Sequence, residues 1–181
     1  MFHETEQEFY SWLAGFVDGD GCFSMGLSLD SKGKSMHISF AVTIGLRKDG
    51  AVALEYIKDR IKAGRIYWSN KDKENAVIRW QTTNMADSIL VTELIMPYLV
   101  LKKHKAIKFL VTAKWYQETS SPVYGKRTKQ VRTNTEMKQV IKASIDLNYD
   151  RQSVRYRNKK GLDYWYPVID RLYPTEGVLN V

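Results

Sequence analysis

Two carboxylates one glycine apart close an apolar segment: Asp18-Gly19-Asp20-Gly21 follows Trp12-Leu13-Ala14-Gly15-Phe16-Val17. Carboxylates held at the packed end of a helix are candidate ligands for a hard divalent cation, which takes oxygen donors. A calcium loop of the EF-hand type beginning at Asp18 needs Asp or Asn at its fifth position and Glu at its twelfth. Cys22 and Leu29 stand there, so that loop is excluded. Gly33-Lys34-Ser35 is not a nucleotide-binding P-loop, because Ser28 stands where the earlier glycine is required and a strand follows instead of a helix. The single Cys22 cannot form an internal disulfide, and with His3, His37 and His104 scattered along the chain it builds no usual zinc site.

The acids need a helix to carry them. Between Glu4 and Val17, apolar side chains at Phe9, Trp12, Leu13, Phe16 and Val17 recur at the three-and-four spacing of one buried helical stripe. Ser11, Gly15 and Gly19 form a second stripe of small residues, on which the backbone of another helix can approach closely. If two copies of this helix pack about a dyad, their ends meet and Asp20 of each copy points to the same place. Two carboxylates brought that close repel unless a cation lies between them. The chain contains no second copy of the segment, so both halves of such a site come from two molecules, which predicts a homodimer with Ser11, Gly15 and Gly19 at its interface.

The unbroken run Leu13 through Gly21 resembles the signature of the LAGLIDADG homing endonucleases, DNA-cleaving enzymes encoded within introns and inteins. A plain glycine-rich helix stop accounts for two Asp and two Gly but not for the Leu13-Ala14-Gly15-Phe16-Val17 that precedes them. The resemblance implies an α+β fold of order αββαββα, with a saddle-shaped antiparallel sheet whose polar face lies in the DNA major groove, plus additional C-terminal helices. It also implies Mg2+-dependent phosphodiester hydrolysis, the metal being held by Asp20 and the Gly19 carbonyl of each half. Asp18 is then the weaker candidate, a capping or structural acid. The expected substrate is a long, near-palindromic duplex cut on both strands across the minor groove, leaving short 3′ overhangs, because dimer symmetry is mirrored in the target.

Further roles follow from the same resemblance. Members carry a Lys near the scissile phosphate shortly after a Pro-aromatic-Leu turn, and Pro97-Tyr98-Leu99-Val100-Leu101-Lys102 gives that role to Lys102, with Lys103 and Lys105 the alternatives if the register shifts. Relatives also place a Gln at the end of the second strand and an Arg soon after, where this chain carries Leu46 and Gly50; Arg47 and Lys48 are the neighbouring residues able to supply the polar or cationic function. Arg151, Arg155, Arg157, Lys159 and Lys160, interleaved with Tyr149 and Tyr156, match a phosphate-gripping loop. Lys102, Lys103, His104, Lys105 and Lys108 open a basic cluster that Lys126, Arg127, Lys129 and Arg132 continue in the loop after the helix. An RNA-binding intron maturase and a non-catalytic DNA-binding regulator are the alternative functions on this fold; both typically dispense with the carboxylate that Asp20 supplies.

The positioning elements are legible as one continuous domain over residues 1–181. Phe23, Met25, Leu27 and Leu29 alternate with Ser24, Gly26, Ser28 and Asp30, the period of a strand with one apolar face. After a turn at Ser31-Lys32-Gly33-Lys34, a second strand runs from about Met36 to Arg47 with Ile38, Phe40, Val42, Ile44 and Leu46 inward. Residues 50–62 read as a helix ended by Gly64, and Arg65 to Ser69 with Ala76 to Thr82 as a second hairpin, its loop at Asn70 to Asn75. Helices are expected over about 84–95, 102–118 and 134–147. The five Trp residues, Trp12, Trp68, Trp80, Trp115 and Trp165, read as core. The outward residues Ser24, Ser28, Asp30, His37, Ser39, Thr43, Arg47, Arg65, Tyr67, Ser69, Arg79 and Gln81 form the candidate DNA-reading surface, since a β-ribbon can present alternate side chains to base edges. Lys32 and Lys34, at the hairpin tip, suit phosphate.

Composition agrees with a nucleic-acid partner; the resemblance implies double-stranded DNA, with intron RNA the partner of the maturase alternative. The chain has 181 residues, 44% of them hydrophobic, and a formal net charge of +8, with a sequence pI near 9.4. It is long enough for a real core, and the charge favours a polyanion. The longest apolar stretch, Ile89 to Leu101, is interrupted by Thr92, Glu93 and Pro97, and Glu4, Glu6 and Glu8 stand where an export or transit signal is basic. We therefore expect a soluble protein without membrane contact, in a prokaryotic or archaeal cytoplasm or in an organelle that encodes it.

Overall fold

The computed structural model describes residues 5–69, 76–119, 132–148 and 161–173. Helix α1 (Glu6–Asp20) leads into strands β1 (Gly21–Leu29) and β2 (Met36–Arg47), then α2 (Ala51–Ile61), β3 (Arg65–Ser69), β4 (Val77–Gln81), α3 (Met85–Ile95), α4 (Lys103–Glu118), α5 (Asn134–Asn148) and α6 (Leu162–Leu172). The order begins αββαββα, as expected, and adds helices after it. Two compact units form, one from Met1–Ser24 with Ser39–Ala113, the other from Met25–Ile38 with Lys114–Val181. Strands β1 and β2 and helix α4 contribute residues to both.

In the first unit, α1 starts at a capping box. Thr5 accepts from the Glu8 backbone N–H at 3.2 Å while the Glu8 carboxylate accepts from the Thr5 N–H at 3.0 Å, satisfying two orphan donors of the first turn. Phe9, Leu13, Ala14 and Val17 are buried, whereas Trp12 and Phe16 are half-buried and stack at 5.0 Å. The helix stops where Gly21 turns into the strand. A Cβ there would lie 2.6 Å from Val17 Cα, so only glycine allows the backbone to pass.

The sheet order is β1-β2-β4-β3. Ile44 faces Trp80 and Trp80 faces Ile66 across the antiparallel pairs. Val42, Ile44 and Trp80 are fully buried, so the alternation expected from the sequence holds on the inner face. The turn from α2 to β3 uses two left-handed residues, Lys62 and Gly64. At Gly64 a Cβ would also strike the Trp80 indole at 2.6 Å, the same indole that donates to the Ala63 carbonyl at 3.1 Å.

The second unit packs α5 against α6. Met36, Met137, Ile141, Trp165 and Ile169 form its core, flanked by Leu27, Leu29 and Ile38 from the strand hairpin. Ser144, buried, donates to the Met25 carbonyl at 2.9 Å. Asn134 fastens the start of α5 to the end of α6 through Asp170 Oδ1 and the Tyr173 carbonyl, at 2.8 and 2.9 Å.

Three expectations change. The helix over residues 162–172 was not separately anticipated; Pro167 lies inside it, and a proline reads as a break because it removes a donor and crowds the preceding turn. Here Pro167 sits on the exposed side, while Leu162, Trp165, Val168, Ile169 and Leu172 carry the apolar stripe. Of the five Trp residues only Trp80 and Trp165 are buried; Trp12, Trp68 and Trp115 are half-exposed, since a side chain as large as an indole is rarely covered completely. The helix expected to begin at 102 begins at Lys103, since Lys102 still belongs to the incoming loop. No described helix is long and apolar enough to cross a membrane.

Candidate active site

The two acids of α1 have different surroundings. Residues 18 and 20 lie roughly 200° apart around a helix, and only one of the two turns toward the chain. Asp18 accepts three backbone N–H groups from the loop before α4: Val100 at 2.7 Å and Leu101 at 3.1 Å on Oδ2, and Lys102 at 2.8 Å on Oδ1. Burial raises its pKa, but the three donors and the Lys102 charge outweigh burial and leave the carboxyl below its ordinary value. Asp20 is exposed and has no hydrogen-bond partner among the described residues.

Lys102 closes the arrangement from the other side. Its ammonium donates to the carbonyls of Val17 at 2.9 Å, Asp18 at 2.8 Å, Gly19 at 3.3 Å and Gly21 at 2.9 Å. These are carbonyls at or just past the end of α1, where intrahelical donors run out and the helix dipole is negative, so a cation is favoured there. The capping or structural role considered for Asp18 is thus its geometry. The pairing of Asp18 with the 100–102 backbone has no local signal in the sequence, because the partners are 82 to 84 residues apart along the chain.

Asp20 with the Gly19 carbonyl offers two hard oxygen donors, the set that suits Mg2+ or Ca2+. Among the described residues no three His, Cys, Asp or Glu side chains converge. Ser11, Gly15 and Gly19 are all exposed, and a Cβ at Gly15 or Gly19 would meet nothing within 4 Å. The small stripe faces away from the packing of its own chain.

Arg47 ends β2 and Lys48 opens the 3-10 turn that follows; both are exposed, and among the described residues no hydrogen bond joins either to Asp20 or Lys102. Leu46 and Gly50, which depart from the family pattern, pack on one another: a Cβ on Gly50 would overlap Leu46 Cδ1 at 2.6 Å. Their chemistry is packing.

The outer face of the sheet aligns in rows. Thr43, Gln81 and Arg65 are cross-strand neighbours, as are Gly45, Arg79 and Tyr67, and Arg47, Val77 and Ser69. The Tyr67 hydroxyl donates to Gln81 Oε1 at 2.8 Å, and the Arg65 guanidinium lies 5.6 Å from the Tyr67 ring centre. Arg79 lies over Gly45, where a Cβ would be in ordinary contact, 3.5 Å from Arg79 Cγ. Ser24 donates to the Ala41 carbonyl at 3.3 Å. Ser28, His37 and Ser39 are exposed along β1 and β2. Asp30 differs from the rest of the set: its Oδ1 accepts from the Lys34 and Ser35 N–H groups at 2.7 and 3.2 Å, closing the turn whose tip carries exposed Lys32 and Lys34. Arg132, by contrast with the exposed basic residues, lies over the Tyr116 ring at 3.7 Å and serves packing. The basic residues Lys126, Arg127, Lys129, Arg151, Arg155, Arg157, Lys159 and Lys160, with Tyr149, Tyr156 and the loop 70–75, lie outside the described residues.

Comparison with known proteins follows the same lines. The fold is that of the homing endonuclease I-CvuI, solved with its target and Ca, which aligns with a TM-score of 0.73 at 17% identity over 92% of this chain and 96% of that one. The archaeal intron-encoded homing endonuclease I-Vdi141I, solved with DNA, gives 0.71 at 17% identity, covering 93% and 98%. The group I intron-encoded I-CeuI, also solved with DNA, gives 0.70 at 14%, covering 93% and 79%. No curated protein matches by sequence. A family model described as LAGLIDADG endonuclease matches residues 13–118, from the motif helix through α4, and with more than half of the sequence covered the chain belongs to the LAGLIDADG endonuclease family.

Proposed function

We propose that this protein is a site-specific DNA endonuclease that acts as a homodimer and hydrolyses both strands of a long, near-palindromic duplex with Mg2+, leaving short 3′ overhangs. The observation that carries the reading is the contrast at the end of α1: Asp18 is consumed by three backbone donors while Asp20, beside the exposed Ser11-Gly15-Gly19 stripe, keeps its oxygens outward. Asp20 and the Gly19 carbonyl would hold the metal. When bound, a divalent ion lowers the pKa of water and neutralises charge at the scissile phosphate. Lys102, whose ammonium is held by four carbonyls at the end of α1, would exchange one of them for a phosphate oxygen, and Arg47 and Lys48 supply cationic character where Leu46 and Gly50 cannot.

The outer sheet face reads the major groove in this reading. Arg65 and Arg79 suit guanine, Gln81 suits adenine, and Thr43, Tyr67, Ser69, Ser24, Ser28, His37 and Ser39 complete the surface. Lys32, Lys34, Arg151, Arg155, Lys159 and Lys160 grip phosphates, which supply most of the affinity and none of the sequence information. Both compact units belong to one endonuclease domain, because β1 and β2 run through both without interruption.

The test is cleavage of DNA carrying the intronless form of the host gene, in Mg2+, by the native protein and by Asp20→Asn at matched binding. Double-strand cutting by the native protein alone supports the reading. Equal binding without cutting by either would overturn it in favour of a binding-only protein.

A further inference from the structure

Lys102 is tied to α1 at both of its ends. Its backbone N–H donates to Asp18 Oδ1, and its ammonium reaches back to four carbonyls at the end of the same helix. Asp18 also receives the Val100 and Leu101 N–H groups on its other oxygen. Three consecutive amides converging on one carboxylate make the concave, positively polarised arrangement that backbone uses to hold anions. Here the anion is the chain's own.

Packing does not hold that loop by itself. Leu99 is buried, but Val100 and Leu101 are 81% and 68% exposed, so these two side chains bury little apolar surface to fix the backbone they belong to. A lysine side chain has many rotamers to lose, and its ammonium stays in one place only if the stem starts from a fixed point. Asp18 supplies that point.

We propose that Asp18 is a positioning residue for Lys102: by fixing the 100–102 backbone it sets where the Lys102 ammonium lies beside the Gly19-Asp20 peptide. The assignment rests on the reading of Lys102 as a phosphate-supporting group in the cleavage reaction. Asp18 itself touches neither substrate nor metal. Replacing it with Asn keeps the shape but turns an amide NH2 toward backbone N–H groups, so at least one of the three bonds is lost.

The experiment is a double-mutant cycle on the full chain: native protein, Asp18→Asn, Lys102→Met and the double variant. Single-turnover cleavage in Mg2+ and DNA dissociation constants in Ca2+ are measured for each. Asp18→Asn is expected to slow cleavage about 10- to 100-fold, the range for small displacements of a reacting group, with DNA affinity within about threefold. In the Lys102→Met background the same change is expected to cost nothing further, since a positioning residue has nothing left to position. Multiplicative loss in the double variant would overturn the proposal, as would parallel losses of rate and affinity. Asp18→Glu, which restores the charge on a longer arm, is expected to recover part of the rate; no recovery with a folded variant counts against it. A readout without catalysis is the Lys102 ammonium signal in protein labelled with 15N-lysine. It is expected to be present in the native protein and lost in Asp18→Asn, and its persistence would overturn the proposal. If native protein does not cut DNA, the endonuclease reading has failed, while this signal still decides the positioning role.

Discussion

The end of α1 and the outer face of the sheet are both polar, yet they are built in opposite ways. At the end of α1 the Asp18 carboxylate and the Lys102 ammonium make seven hydrogen bonds to backbone. On the sheet face, Thr43, Arg79, Arg47 and Ser69 make none among the described residues, and the tie between side chains is the one from Tyr67 to Gln81. On the proposed function, the difference is between placing and reading. A group that works on a phosphate must be held to a fraction of an ångström, so its supporting shell is saturated. A group that reads a base must keep its donors and acceptors open until DNA supplies the partners, and in water that costs little.

The largest test of the contrast is Asp20. Asp20→Asn is expected to lower the single-turnover cleavage rate about 10³-fold or more, the scale of losing a metal-supported step, with DNA affinity nearly unchanged, measured by gel cleavage and by binding in Ca2+. Next comes the small stripe. Because a Cβ at Gly15 meets nothing within its own chain, Gly15→Leu is expected to leave thermal stability equal or higher while the sedimentation mass falls to that of the monomer and double-strand cutting disappears. An unchanged mass would remove the stripe from the interface.

On the reading face, Arg79→Ala is expected to cost about 1–3 kcal/mol at one base pair and to relax preference there, whereas Lys32→Ala weakens all sequences alike and flattens the salt dependence by about one unit of slope. A panel of singly substituted duplexes separates the two. The smallest effect concerns the hairpin turn. Burial raises the Asp30 pKa, but the Lys34 and Ser35 donors and His37 bring it below the ordinary value of 3.8. A depressed folded pKa means stability present above the unfolded value and lost as pH falls below it through the folded one. Melting temperatures should therefore fall more between pH 5 and pH 3 for the native protein than for Asp30→Asn; equal slopes would show that the turn does not depend on the carboxylate.

The alternation of Phe23, Met25, Leu27 and Leu29, and of Ile38 through Ile44, made the strand faces legible because side chains on a strand alternate by steric necessity. Helix α6 was harder: its stripe from Leu162 to Leu172 has helical spacing, but Pro167 breaks the pattern locally, and only packing against α5 shows that the proline lies on the exposed side. Trp12, Trp68 and Trp115 were read as core because composition cannot say which side of an element edge an indole covers.

The sequence by itself determined the motif and the strand pattern, which rest on residues within a few positions of one another, and the basic charge, which is a sum over composition; Asp20 entered as a candidate metal ligand through the resemblance that the motif carries. Tertiary structure alone decided that Asp18 and Lys102 lock one another, that Arg79 lies over Gly45, and that Gly50 packs on Leu46 in place of polar chemistry. Asp18 and Lys102 meet only after α1 and the start of α4 are brought together, and no periodicity in a chain encodes a bond across 84 residues.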